Sequence, residues 1–236
     1  MIVHDVEQGT PEWHRARAGV ITASRFAMLR ERMKTGANKG DWKQDARKYA
    51  MRLAIERITG WPLDVDEYQP WQAERGHRHE EEARETLSLI LGADIEQVGF
   101  VTTDCGRFGC SPDGLIGSDG GAEFKAFLDP TKIMAMWLDD DFSEVRDQVQ
   151  GCMWICERDW WAVFPYHPGL NPKLHREHAD PDYIQALTAD LTAFDALVES
   201  YQIRLADDGT RAPEETAASQ SEDDESVVGI FEGGSA

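Results

Sequence analysis

Apolar and polar positions along this chain follow two rhythms. Ala83, Leu87 and Leu91 recur at helical spacing, as do Val145, Val149, Cys152, Met153 and Cys156, and then Ile184, Leu187, Leu191, Phe194 and Tyr201. Each set predicts a helix with one buried face. Capping and breaking residues set the ends. Thr10-Pro11-Glu12 offers a capping hydroxyl, a first-turn proline and an acid at the positive helix end, so a helix is expected from Thr10 to about Ala18, broken by Gly19. A second helix is expected from near Ser24, and others over 42–58 (stopped by Gly60 and Pro62), 71–91 (closed by Gly92), 131–138, 142–157 and from Asp180 to near Leu205. Residues 34–41 read as a loop and 63–70 as a turn. Shorter stretches at 97–103, 107–111, 123–127 and 160–166 read as strands, the first two joined by a tight turn. This order predicts an α/β protein with a small central mixed sheet flanked by helices.

Composition changes sharply near residue 205. The 236-residue chain carries eight Trp and nine Phe to fill a core, but 206–236 is polar and acidic over most of its length. We expect one domain over 1–205 and a disordered acidic tail over 206–236. Near its end Val227, Val228, Ile230 and Phe231 follow an acidic run, which suits either docking into a partner's groove or an inert solubilising tail. There is no run of eighteen apolar residues, and MIVHDVEQGT lacks the basic and apolar regions of a signal peptide, so a soluble cytoplasmic protein without a membrane partner is expected. The spacings Cys105-x4-Cys110 and Cys152-x3-Cys156 fit iron–sulfur ligation poorly, and reduced, buried thiols are expected instead. The net charge of −20 argues against a general nucleic-acid binder, yet its distribution is uneven. Residues 1–60 hold 12 Lys and Arg against 7 Asp and Glu, whereas 207–236 hold 1 against 9. A basic amino-terminal region on an acidic body would confine phosphate contacts to one surface.

The densest chemistry lies in SPDGLIGSDGGAEFK, residues 111–125. Ser118-Asp119-Gly120-Gly121 reads as a hairpin turn, and strand alternation puts Glu123 and Lys125 on one face with Ala122, Phe124 and Ala126 on the other. The fold-back brings Asp113 beside that pair. Two carboxylates and an ammonium suit phosphodiester hydrolysis assisted by a divalent metal, in which oxygen ligands hold a hard cation and the lysine adds positive charge. The same pattern is also compatible with a solvated hairpin. In the 71–91 helix, Glu80 falls on the face of Ala83, Leu87 and Leu91, while Glu81 and Glu82 rotate away to solvent. A core-facing carboxylate is costly unless paired or metal-bound, which singles out Glu80. The helix start near Ser24, with Thr22, Arg17 and Arg25, offers either a phosphate pocket or simple capping. His77, His79, His175 and His178 read as surface or hydrogen-bonded residues rather than ligands, the last two in a polar loop.

Four segments, WHRARAGVITASRF (13–26), ERGHRHEEEAR (74–84), CSPDGLIGSDGGAEFK (110–125) and QVQGCMW (148–154), resemble in order and spacing the phage lambda exonuclease family, within the YqaJ-like group of restriction-endonuclease-like nucleases. The resemblance spans roughly residues 10–205. It implies a restriction-endonuclease-like fold and a processive enzyme that digests one strand of duplex DNA from its 5′ end, releasing mononucleotides and leaving a 3′ overhang. It also implies two Mg²⁺ per site, with Mn²⁺ substituting, a toroidal homotrimer around the DNA, and a single-strand annealing protein as recombination partner. By matched position Asp113, Glu123 and Glu80 would bind metal, Lys125 would be the catalytic lysine, and Gln148 would lie near the site. Arg17, Ser24 and Ser111 would hold the 5′-phosphate. A family tyrosine is Val145 here, and the strand-separating wedge would be Ala73 or Trp71. Two other readings remain: a structure-specific or nicking endonuclease of the same fold, and an inactive DNA-end-binding recombination scaffold.

Overall fold

The computed structural model describes residues 1–63, 70–125 and 129–208, with backbone alone for 70–78, 130 and 133. Thr10 caps α1 (Pro11–Arg17) by accepting the Trp13 amide proton. After β2 (Ile21–Thr22) a single 3-10 turn, Ala23–Arg25, leads into the short α2 (Phe26–Arg30), and neither has a side-chain cap. The helix expected from near Ser24 is thus a 3-10 turn running into α2, and it starts without a cap from the Ser24 hydroxyl. α3 (Gln44–Thr59) ends on Gly60 in the left-handed region, as its sequence predicts. α4 (Pro70–Leu91), α5 (Pro130–Leu138, capped by Asp129), α6 (Ser143–Cys156) and α7 (Pro181–Asp207, capped by Asp180) lie close to their expected ranges.

The strands form two mixed sheets rather than one. β1 (Ile2–His4), β4 (Phe100–Thr102), β5 (Phe108–Cys110) and β2 lie in the order β1-β4-β5-β2, with β2 parallel to β5 and the other pairs antiparallel. The second sheet runs β3 (Ile95–Glu96), β6 (Gly114–Ile116), β7 (Gly120–Lys125), β8 (Trp160–Pro165), β9 (His175–His178), with β7 and β8 parallel and joined through α5 and α6. β1, β2 and β3 are too short to show alternation. β9 was expected to be loop because its sequence, HREH, is polar; it is an edge strand exposed at alternate residues.

Alternation along β8 feeds two cores. Trp161 and Val163 pack into the larger core with residues of α3, α6 and α7, whereas Trp160, Ala162 and Phe164 join Ala83 and Leu87 of α4 in a smaller one. β7 follows suit, burying Ala122 and Phe124 in the smaller core. The hairpin turn falls at Gly117–Asp119, one position earlier than its sequence suggests, because Gly120 and Gly121 already belong to the strand. Their missing side chains make room for indoles: a Cβ on Gly120 would stand 2.3 Å from Trp160, and one on Gly121 2.2 Å from Trp161.

Candidate active site

Antiparallel pairing of Gly114 with Ala122 puts Asp113, one residue before β6, next to Glu123. Asp113 Oδ2 accepts the amide proton of Phe124 at 2.6 Å, which anchors the carboxylate to β7. Glu123 and Lys125 share the face opposite Ala122 and Phe124, as alternation predicts, and α6 lays Gln148 across them. Lys125 Nζ donates to Glu123 Oε1 at 2.7 Å and to Gln148 Oε1 at 3.0 Å, while Gln148 Nε2 donates to Glu123 Oε1 at 2.7 Å. Burial alone would lower the Lys125 pKa, but the adjacent Glu123 and then Asp113 outweigh it and hold it above the ordinary lysine value. Lys125 is therefore an ammonium at neutral pH. Asp113 is pushed the other way for a carboxylate: burial, then the charges of Glu123 and Glu80, raise its pKa well above the usual range despite the Phe124 amide and Lys125.

Glu80 of α4 and Asp113 line one cavity of about 310 Å³ together with Glu7, Gln8, Arg84 and Gln97. Glu81 is exposed as expected. Glu82 is not purely solvated, since it accepts from the Tyr166 hydroxyl at 3.3 Å and lies 3.5 Å from His79.

These residues fit a hard divalent cation. Glu123 is 4% exposed, and its Oε2 is buried without a hydrogen-bond partner. Asp113 and Glu123 share the single ammonium of Lys125, and a hard cation would supply the positive charge they lack. Among the described residues no three His, Cys, Asp or Glu side chains form a preformed cage. A hard cation here would complete its coordination with water or phosphate oxygens.

A second polar cluster adjoins the first through the chain itself. Ser111 Oγ accepts from Arg17 Nη1 at 3.0 Å and from Trp13 Nε1 at 2.9 Å, and the Arg17 guanidinium lies 4.0 Å from the centre of the Trp13 ring. Only Pro112 separates Ser111 from Asp113. Ser24 is exposed, two residues past Thr22; because Thr22 pairs with Gly109 in parallel, Ser24 and Ser111 leave the sheet at the same end. Thr22 itself turns inward, its hydroxyl 3.3 Å from that of Tyr49, and so does not join a surface pocket.

Sequence reasoning missed several participants. Trp13 stations Ser111, the Gln8 amide donates to the carbonyls of Val98 and Pro112 at 3.0 Å each, and Arg84 donates to the Asp113 carbonyl at 3.2 Å. All are long-range contacts with no motif spacing; Trp13 and Arg84 are distinguished only by lying within the segments that carry the family resemblance. Three cysteines are buried as expected, with Cys110 and Cys156 sulfurs 3.4 Å apart, but Cys105 is exposed in the β4–β5 turn. His175 stacks on Phe142 with centroids 4.1 Å apart and bonds Glu177, a structural role. The side chains of Trp71, Ala73 and His77 and all of the tail beyond Asp208 lie outside the described residues, and no described helix is long and apolar enough to cross a membrane.

Solved exonuclease structures share this fold. An alkaline exonuclease from Laribacter hongkongensis, LHK-Exo, superposes with a TM-score of 0.69 and 27% identity over 85% of this chain and 98% of its own. The same enzyme in complex with dAMP gives 0.70 and 27% over 86% and 100%. A phage-related exonuclease from Haemophilus somnus 129PT shares the fold at a TM-score of 0.55 and 13% identity, over 80% and 96% of the two chains. No individually curated protein matches the chain. The family profile described as the YqaJ-like viral recombinase domain matches residues 12–159, which include Arg17, Glu80, Asp113, Glu123, Lys125 and Gln148, and the chain belongs to that family.

Proposed function

We propose that this protein is a Mg²⁺-dependent exonuclease that digests one strand of linear duplex DNA from the 5′ end, releasing 5′-mononucleotides and leaving 3′ overhangs for recombination. The observation that carries this reading is the joining of two clusters by one proline. Ser111, bound to Arg17, and Asp113, beside Glu123, lie two residues apart, a span of at most about 7 Å. A terminal phosphate held by Arg17 and the serine hydroxyls therefore sets the first internucleotide linkage against the acidic cluster. The 27% identity to an alkaline exonuclease over nearly its whole length supports the same class of reaction.

Asp113, Glu123 and Glu80 would hold the metal, which supplies Lewis acidity and a hydroxide near neutral pH when bound. Gln148 donates to Glu123 and accepts from Lys125, fixing both side chains. Lys125 keeps a half-buried positive charge where negative charge would grow on the phosphoryl oxygens as water adds and the P–O3′ bond breaks. The first nucleotide leaves with its 5′-phosphate and a new 3′-hydroxyl, and the shortened strand carries a fresh 5′-phosphate to occupy the pocket. We further propose that the working form is a toroidal homotrimer in the cytoplasm and that a single-strand annealing protein takes up the exposed strand, both from the family likeness.

The test is a linear duplex labelled separately at its 5′ and 3′ termini, with and without 5′-phosphate, in Mg²⁺ or EDTA, alongside a closed circular duplex. The expected result is metal-dependent loss of the 5′ label as mononucleotide and an intact circle. Cutting of the circle would mean an endonuclease, and no release at all an end-binding scaffold.

A further inference from the structure

The backbone between the two amino-terminal members of the phosphate pocket is gripped by side chains from a single helix. Gly19 follows α1 at φ +74°, and its amide proton is donated to Glu56 Oε2 at 2.9 Å while its carbonyl accepts from Arg57 Nε at 2.7 Å. A Cβ at this position would stand 2.6 Å from Arg57 Cγ. Further along, Tyr49 donates its hydroxyl proton to the Val20 carbonyl at 3.3 Å and accepts the Thr22 amide proton at 3.2 Å. Tyr49, Glu56 and Arg57 all project from α3. Glu56 is 3% exposed, and its other oxygen accepts the Leu63 amide proton at 2.9 Å and lies 3.5 Å from Arg52. Arg57 is braced in turn by Asp195 of α7 at 2.8 Å.

A buried carboxylate spent on two backbone amides is a costly way to hold a loop unless the loop's position matters. This loop begins two residues after Arg17 and leads through β2 to Ser24. We propose that Tyr49, Glu56 and Arg57 are positioning residues for 5′-phosphate recognition: they fix the Gly19–Thr22 segment and thereby the relative placement of Arg17 and Ser24 against Ser111. The inference rests on the 5′-phosphate reading above. The clamp's hydrogen bonds and ion pairs run to the Gly19–Thr22 segment, Leu63, Arg52 and Asp195 and not to the acidic cluster, so its loss acts on end recognition and leaves the chemical step alone.

The experiment compares wild-type full-length protein with Glu56→Gln, Tyr49→Phe and Arg17→Ala on duplexes that differ only in a 5′-phosphate or 5′-hydroxyl. Kd is measured in EDTA, and kcat and KM in Mg²⁺, each per folded molecule from an unfolding curve. Glu56→Gln turns an amide donor toward a backbone N–H, and Tyr49→Phe removes only a hydroxyl while keeping the ring. The expected result is a fall in the phosphate-to-hydroxyl preference of about tenfold for Glu56→Gln and about threefold for Tyr49→Phe, as expected for losing a hydrogen bond, with kcat at saturation within about twofold of wild type. Should Glu56→Gln fail to fold, Tyr49→Phe decides. Variants that lose stability yet keep the wild-type preference, while Arg17→Ala abolishes it, would overturn the clamp as a positioning device. An unchanged preference in Arg17→Ala would instead overturn the pocket, and the clamp's role with it.

Discussion

Two buried acidic regions of this molecule solve the cost of burial in opposite ways. Glu56 and Asp195, 3% and 4% exposed, are matched: Glu56 accepts from two backbone amides, and Asp195 has Arg107 at 2.6 Å on one oxygen while its other oxygen, without a hydrogen bond, still has the Arg57 guanidinium at 2.8 Å. Asp113 and Glu123 are short of positive charge. Lys125 and Gln148 both bond the same oxygen of Glu123, its other oxygen has no hydrogen-bond partner, and burial followed by the charges of Glu123 and Glu80 raises the Asp113 pKa. Burial by itself marks neither kind of site. What separates the structural carboxylates from those proposed to work is the charge left for something else to supply.

The comparison breaks most visibly at Lys125. Lys125→Ala should cut mononucleotide release by roughly 10²- to 10⁴-fold with the fold retained, judged by circular dichroism. Turnover near wild type would put the cluster in the structural class with Asp195. Removing an acid from the matched region should do the reverse: Asp195→Ala takes the ion-pair partner from the largely buried Arg57, while Arg107 keeps Glu199, and should cost about 1–3 kcal/mol in urea unfolding, with saturating turnover per folded molecule near wild type. The smallest effect sharpens the contrast through pH. Because the Asp113 pKa is raised on folding, its contribution to stability is complete below the ordinary carboxylate range and is lost as pH rises through the raised value. In EDTA the Tm should therefore fall by about 2–4 °C for each kcal/mol lost across that window, Mg²⁺ should restore it, and Asp113→Asn should flatten the slope. A slope that persists in Asp113→Asn would assign it to other groups.

Much of this was legible in the chain. Strand alternation is strict, so Glu123 and Lys125 on one face and Phe124 on the other followed from spacing alone, and the 3.6-residue helical period turned Glu80 inward. Glu56, on the stripe with Leu53, is another inward acid, one that the sequence reading does not single out, and spacing cannot say whether its partner will be an amide, an arginine or a metal. That depends on contacts such as Gly19 with Glu56, 37 positions apart, and Trp13 with Ser111, 98 apart. Sheet number was hidden for a similar reason: strands of two or three residues such as Ile21–Thr22 and Ile95–Glu96 have no periodicity and exist because neighbours pair with them. The position of the hairpin turn depended on tryptophans about forty residues away, which claim Gly120 and Gly121 for the strand.

Those indoles reach further than packing. In a parallel pair, sliding one strand by a single residue exchanges its faces, which here would swing Glu123 and Lys125 away from Gln148 and toward Phe164. Trp160 and Trp161 each need a glycine opposite, and only two adjacent positions of β7 supply one, so the ladder has a single setting, like a key with two cuts. The alignment of the acid and the amine is thereby guarded from the far end of the strand, by two buried indoles.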